Sequence, residues 1–163
     1  MQKQKKENNA AHGLFLQTKV SIDSSTSKNM ATATGHYLGQ LRTRVEHSAS
    51  GESFITDAPT DNNGRGEAFS PTDSVCAALS SCMMTLMGIY AEREGIDLGG
   101  LHSEIVKHME ANPRRIGKIE IDFFWPDASA TPHQMEMLKR AALTCPVSKS
   151  LHPDLVQDIR FHF

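Results

Sequence analysis

The chain has 163 residues, of which 39% are hydrophobic, 22% charged and 6% aromatic, and its formal net charge is -2. That length suits one domain, or two small lobes sharing a core, and the near-neutral charge gives no footprint for nucleic acid or membrane as a partner. Its three cysteines, with no secretory leader ahead of them, point to a reducing compartment, the cytoplasm, where thiols are free, catalytic or metal-bound rather than structural bridges.

The N-terminus, MQKQKKENNAA, carries lysines with no apolar stretch behind them, so residues 1–13 read as a polar tail or an arm reaching a neighbouring subunit, and 14–163 as one domain. No apolar run approaches the roughly 20 residues of a membrane span. Leu14 to Ile22 alternates loosely and is expected to be a strand. Ala31 to Val45 is rich in Thr and branched residues, with Gly35 and Gly39 permitting a bend, and Glu52 to Thr56 reads as a third strand. Together these predict an N-terminal antiparallel β-meander. Thr60 to Glu67 (TDNNGRGE) is turn-forming.

Ser70-Pro71-Thr72-Asp73 has the form of a helix start: a capping serine, proline at the first helical position and an acid three residues after the cap. The helix is expected to run to about Glu94, with Gly95 as its left-handed stop. It is apolar almost all round between Val75 and Ala91, which predicts burial in the middle of the structure. A second β region follows, with Leu101 to Met109 and then Ile116 to Trp125. In the latter, Ile119, Ile121 and Phe123 share one face, and Lys118, Glu120 and Asp122 the other. Thr131 and Gln134 form a second capping box for a helix through Leu138, Ala142 and Cys145, ended by Pro146. A last strand covers Leu155 to Phe163. The fold class is α+β.

The thiols carry the possible chemistry. Cys76 and Cys82 are not in a CxxC spacing, and the histidines form no HxxxH or HExxH pattern, so no metal and no cofactor is expected. Cys76 and Cys82 lie about 120° apart around one helix and roughly 9 Å apart along it, too far to bridge. If Cys82 has a partner within the chain, it is Cys145, 63 residues away. Cys82 is too deep in its helix for the dipole to activate it, and its apolar neighbours favour an inert thiol unless a cation arrives from another segment. Met83, Met84 and Met87 beside it read as core.

The run F-S-P-T-D-x-V-x-A-A-L-S-S-C, the turn E-R-E-G-I-D-L-G-G-L and the later T-C-P-V-S-K-S-L resemble the OsmC/Ohr family across nearly the whole chain beyond the arm. The resemblance implies an intertwined homodimer with the long central helices buried together and an active site at each end of the interface. It implies a thiol-dependent peroxidase in oxidative-stress defence, acting on organic hydroperoxides or hydrogen peroxide. Cys82 is then the nucleophile and Cys145 the resolving thiol, re-reduced by a dithiol such as a lipoyl protein.

The pattern departs from the family where the thiol is activated. The family glutamate ten residues before the nucleophile is Thr72 here, with Asp73 already explained as a cap, and Gly35 to Gly39 carries no arginine. Asn62 holds the position of the alternative arginine; Arg65, with Glu67 to orient it, is the nearest candidate. The missing glutamate leaves two other readings: a non-enzymatic member binding a hydrophobic small molecule at the dimer interface, and a thiol redox sensor.

Overall fold

The computed structural model describes residues 31–163. The expected arm and the strand at Leu14 to Ile22 lie outside those residues. The order is β1 (Ala33–Gly39), β2 (Arg42–His47), β3 (Ser53–Asp57), a short 3-10 turn, α1 (Pro71–Glu94), β4 (His102–Ala111), β5 (Arg114–Phe124), α2 (Pro132–Leu143), α3 (Pro146–Ser150) and β6 (Val156–His162). The α+β class and the β-meander, long helix and second β region stand as expected.

The segment Ala31 to Val45 is two strands rather than one bent strand. Gly39 pairs with Arg42 across a two-residue loop, Gln40-Leu41, and both loop residues have positive φ, 52° and 60°. Paired left-handed residues match the twist of a tight hairpin. The usual Asn-Gly signal is missing, so the turn is written instead in tertiary bonds: the Leu41 N–H donates to the Tyr37 hydroxyl at 3.2 Å, and the Leu41 carbonyl accepts from the Ala58 N–H at 3.0 Å.

The core lies on one face of the sheet β4-β5-β6, whose first pair is antiparallel and whose second is parallel. The inward row of β5, Ile119, Ile121 and Phe123, is fully buried and continues into Trp125. Each such side chain contributes roughly 1.5–3 kcal/mol by leaving water. Against this row pack Leu79, Met83, Met87 and Ala91 of α1 and Leu138 and Ala142 of α2. The outward row of β5 forms a charge lattice in which Arg160 bonds Asp122 and Glu120 while Lys118 bonds Glu120 and Asp158.

α1 starts and stops where its sequence signals place it, with the capping box Ser70–Asp73 formed and Gly95 left-handed at φ 66°. Its 24 residues are long and apolar enough to cross a bilayer by length and composition, contrary to the expectation of no such run. In this fold, however, one stripe of α1 packs on the sheet. Burial is also narrower than expected: the opposite stripe, including Ala78, Ser81 and Thr85, is exposed, and Ile89 is 42% exposed.

The sheet β1-β2-β3 has no core of its own. Tyr37, Leu38, Phe54 and Ile55 are all substantially exposed. What joins this sheet to the loop leading into α1 is polar. Arg42 donates to both carboxylate oxygens of buried Asp57 at 2.7 Å and to Glu67 at 2.7 Å, and the Glu67 N–H donates to Asp57 at 3.1 Å. Gly64 lets the connecting loop close, since a Cβ there would overlap the Ala58 carbonyl oxygen at 1.7 Å.

Hydrogen bonds from Arg42 hold the Asp57 carboxyl below its ordinary range, against the opposing effect of burial. A carboxyl depressed in the folded state stabilises the fold above its unfolded pKa of about 3.9, and that stabilisation is lost as the pH falls through the folded value. Urea unfolding from about pH 5 down to about pH 2 is therefore expected to show falling stability, and Asp57→Asn to be less stable at the upper end with a flatter profile. A profile as steep as that of the wild type would remove Asp57 from the account.

Candidate active site

Cys82 sits near the middle of α1, on a partly covered flank between the buried stripe and the exposed one. Cys145 comes from a different place in the chain. α2 ends at Leu143 with Thr144 as its cap, and Cys145 is the capping residue of α3 rather than the last residue of α2. Its backbone (φ -49°, ψ 121°) is outside the helical region, which the following Pro146 disfavours. Because α1 and α2 pack side by side over β5, the Cys82 thiol lies near enough to Cys145 to push its pKa up. Both are unbridged cysteines.

Cys145 is fully buried. Burial and the Cys82 thiol push its pKa up, while the Ser148 and Val147 N–H groups pull it down. The Ser148 N–H points at the sulfur from 3.5 Å. The pair is thus a buried thiol with a raised pKa beside a partly exposed one.

Cys76 is 2% exposed and packs in the core, as its helical position suggested. It also forms part of the lining of a cavity of about 630 Å³ with Phe69, Ala77, Ile105, Lys107 and Asp73. Burial raises its pKa, opposed by the nearby Lys107 ammonium. A second cavity, of about 370 Å³, lies between the β1–β2 turn and the start of α1 and includes Thr72 and Arg114 in its lining. Cys82 and Cys145 line neither of these two cavities. Among the described residues no group of three His, Cys, Asp or Glu side chains could hold a metal ion.

Thr72, in the place of the family glutamate, is held by Lys107, whose ammonium donates to Thr72 Oγ1 at 2.8 Å, to Ser70 Oγ at 3.2 Å and to Asp73. All three protons of Lys107 are committed to the first turn of α1. Arg65 is exposed on the loop. Glu67 bonds Arg42, not Arg65. The structure therefore brings Cys82 and Cys145 near each other, and within the chain brings neither Arg65 nor Glu67 to that pair.

Two polar residues away from the cysteine pair, Arg42 and Lys107, carry no local motif that marks them as site residues. Arg42 was concealed because its strand begins at a hairpin with no turn motif. Lys107 lies on the inward row of β4 with Ser103 and Met109, and a lysine on a core-facing row was the available signal, since such a charge is buried only when paired.

The profile of the family described as OsmC-like protein matches residues 64–159. Among solved structures, a Psychrobacter arcticus protein assigned to osmotic stress induced and detoxification response is 43% identical, with a TM-score of 0.78 and coverage of 82% of this chain and 96% of that one. The Legionella pneumophila organic hydroperoxide resistance protein OsmC is 16% identical, with a TM-score of 0.61 over 82% of this chain and 98% of that one. An organic hydroperoxide resistance protein from Elizabethkingia anophelis is 14% identical, at a TM-score of 0.56 over 82% and 97%. At those two identities the likeness is one of fold. No curated protein matches the chain. A family profile that spans more than half of the residues, together with a 43% identical relative of nearly the same extent, shows that the chain belongs to the OsmC-like protein family.

Proposed function

We propose that this protein is a cytoplasmic, homodimeric thiol-dependent peroxidase that reduces organic hydroperoxides, or hydrogen peroxide, in oxidative-stress defence. The observation that carries this reading is that separate elements, packed side by side, place the Cys82 thiol near the buried Cys145 thiol. Cys82, the more exposed of the two, attacks a peroxide oxygen as the thiolate. The O–O bond breaks, the alcohol leaves with a proton, and Cys82 becomes a sulfenic acid. Cys145 then attacks that sulfur, forming the disulfide and releasing water, which protects Cys82 from irreversible over-oxidation. A dithiol reductant, a lipoyl protein by family resemblance, reopens the bridge by exchange.

The homodimer is supported by what the single chain leaves uncovered: the apolar residues of β1 and β3 and the exposed stripe of α1. A two-sided exposed sheet and an apolar helix face of this kind mark a protein interface. The same gap supplies the missing activation. Arg42 is fixed in direction by Asp57 and Glu67 and keeps 23% of its side chain accessible, on the sheet a second copy would cover. We assign it as the cation for Cys82, delivered across the dimer interface, in place of Arg65. Lys107 is unsuited to that task because its protons are spent on the α1 cap.

The cavity beside Cys76 supports the other reading, a protein that binds a hydrophobic small molecule without turning it over, because its wall is mostly apolar and Cys82 is not part of it. Peroxide chemistry separates the two.

A stoichiometric cumene hydroperoxide challenge followed by thiol mapping is expected to yield a Cys82–Cys145 disulfide in the wild type, none in Cys82→Ser, and over-oxidised Cys82 in Cys145→Ser. If the wild type forms no such disulfide, the peroxidase reading fails. Sedimentation equilibrium is expected to give a dimer of the 18.0 kDa chain that Ile89→Asp converts towards monomer; a monomeric wild type would overturn the interface. Arg42→Met is expected to slow the reaction of Cys82 with peroxide by about 100-fold, the scale of losing one aligned electrostatic donor. Arg42→Lys should recover part of that loss, since it keeps the charge but not the fork. Wild-type rates in both variants would reject Arg42 as the cation.

A further inference from the structure

The last strand carries an anomaly. The inward row of β6 reads Gln157, Ile159, Phe161, and continues to Phe163, and the three apolar members pack against the core. Gln157 is a polar residue on that row, in parallel register with buried Ile119 of β5. A buried or half-buried amide on an apolar row is costly unless both its ends are bonded. Here both ends go to one residue. Gln157 Oε1 accepts from the Ser148 hydroxyl at 2.6 Å, and Gln157 Nε2 donates to the Ser148 carbonyl at 3.2 Å. Ser148 is the residue whose N–H points at Cys145 Sγ from 3.5 Å. Apolar packing would anchor β6 without Gln157, so its two bonds act on α3, and through α3 on the sulfur.

We propose that Gln157 is a positioning residue for the resolving step: its two-bond clamp on Ser148 holds the Ser148 N–H against Cys145 Sγ, so that the buried thiol can ionise and attack Cys82. This rests on the peroxidase reading given above. In the step concerned, Cys145 gives up its proton and attacks the Cys82 sulfur of the sulfenic acid. The S–S bond forms, the S–O bond breaks, and hydroxide leaves and takes up a proton as water. The N–H groups of Ser148 and Val147 are what lowers the thiol's proton affinity against burial and against the neighbouring Cys82 thiol. Ser148 is the one whose orientation is set from outside its own turn. Without Gln157 the turn still closes, because Leu151 N–H donates to the Ser148 carbonyl, but its angle to the sulfur is no longer fixed.

Gln157→Leu tests this, because leucine suits the apolar row and keeps β6 packed. Sulfenate formation on Cys82 with cumene hydroperoxide, trapped by dimedone, is expected at the wild-type rate. Closure of the disulfide is expected to slow about fivefold, the scale of one net hydrogen bond, with more trapped sulfenate. Independently of peroxide, in a background with Cys76→Ser and Cys82→Ser, the ultraviolet thiolate absorbance of Cys145 should titrate at higher pH when Gln157→Leu is added, and likewise with Ser148→Ala. A merely structural role for the clamp would leave that midpoint in place. Unchanged closure and an unchanged midpoint overturn the proposal while the peroxidase reading stands. Absence of any Cys82 sulfenate in the wild type instead overturns the peroxidase reading, and the thiolate titration still decides whether the clamp acts on Cys145.

Discussion

The side-by-side packing of α1 and α2 over the inward row of β5 is the constraint on which the rest of the molecule depends. Cys82 of α1 and Cys145, which caps α3 just past α2, are not neighbours by local geometry; the sheet brings them together. Ile119, Ile121 and Phe123 are fully buried because two helices cover them, and the helices have one fixed offset because Leu79, Met83 and Met87 of one and Leu138 and Ala142 of the other must fill the same layer. Cys82 and Cys145 come near each other as a consequence. Cavities opened in this layer would cost stability, and would also blur the placement of the two sulfurs, since a core that loses packing loses its unique geometry early.

The opposite end of the molecule is organised by charge rather than by packing. Its sheet buries little apolar surface and is tied down by Arg42 between Asp57 and Glu67, while the first turn of α1 is tied down by Lys107. The substitution of Thr72 for the family glutamate is coherent with this arrangement. A glutamate at that position would compete with Asp73 for the Lys107 ammonium, which already spends its protons on Ser70, Thr72 and Asp73. The acids that orient an arginine therefore come from β3 and the following loop instead of from the helix. A bidentate guanidinium–carboxylate pair fixes direction as well as charge, so in the proposed peroxidase Arg42 is an aimed cation held by Asp57 and Glu67.

Much of this was legible in the sequence where a rule is local. The capping boxes at Ser70 and Thr131, the Gly95 stop and the alternation of β5 follow from neighbours in the chain, and all appear in the structure. Failures came where a tertiary contact replaces the local signal. The Gln40-Leu41 turn has no glycine or asparagine and depends on Tyr37 and Ala58, so its two strands read as one and Arg42 was hidden at their junction. Spacing points from Glu67 to Arg65, two residues away, whereas Glu67 pairs with Arg42, because pairing with a distant strand is invisible to spacing. The uniform apolarity of α1 points to burial in the middle of the structure, and within the single chain a stripe including Ala78, Ser81, Thr85 and Ile89 remains uncovered.

Three thiols on one fold meet three different environments, and the contrast explains why spacing alone could not rank them. Cys76 has a cation nearby, yet it is sealed in the core and beside Asp73, which opposes the effect of Lys107. Cys145 is sealed too, but its sulfur receives N–H groups from the turn it caps and lies near another thiol. Cys82 alone combines partial exposure with a sulfur partner. A nucleophile needs access, and a resolving thiol needs proximity and a place to put charge. Exposure therefore separates Cys82 from the other two, and proximity to Cys82 separates Cys145 from Cys76. In the proposed resolving step the proton affinity of Cys145 sets the speed of closure, so the polar residue on the apolar row of β6 bears on that step although it touches neither sulfur.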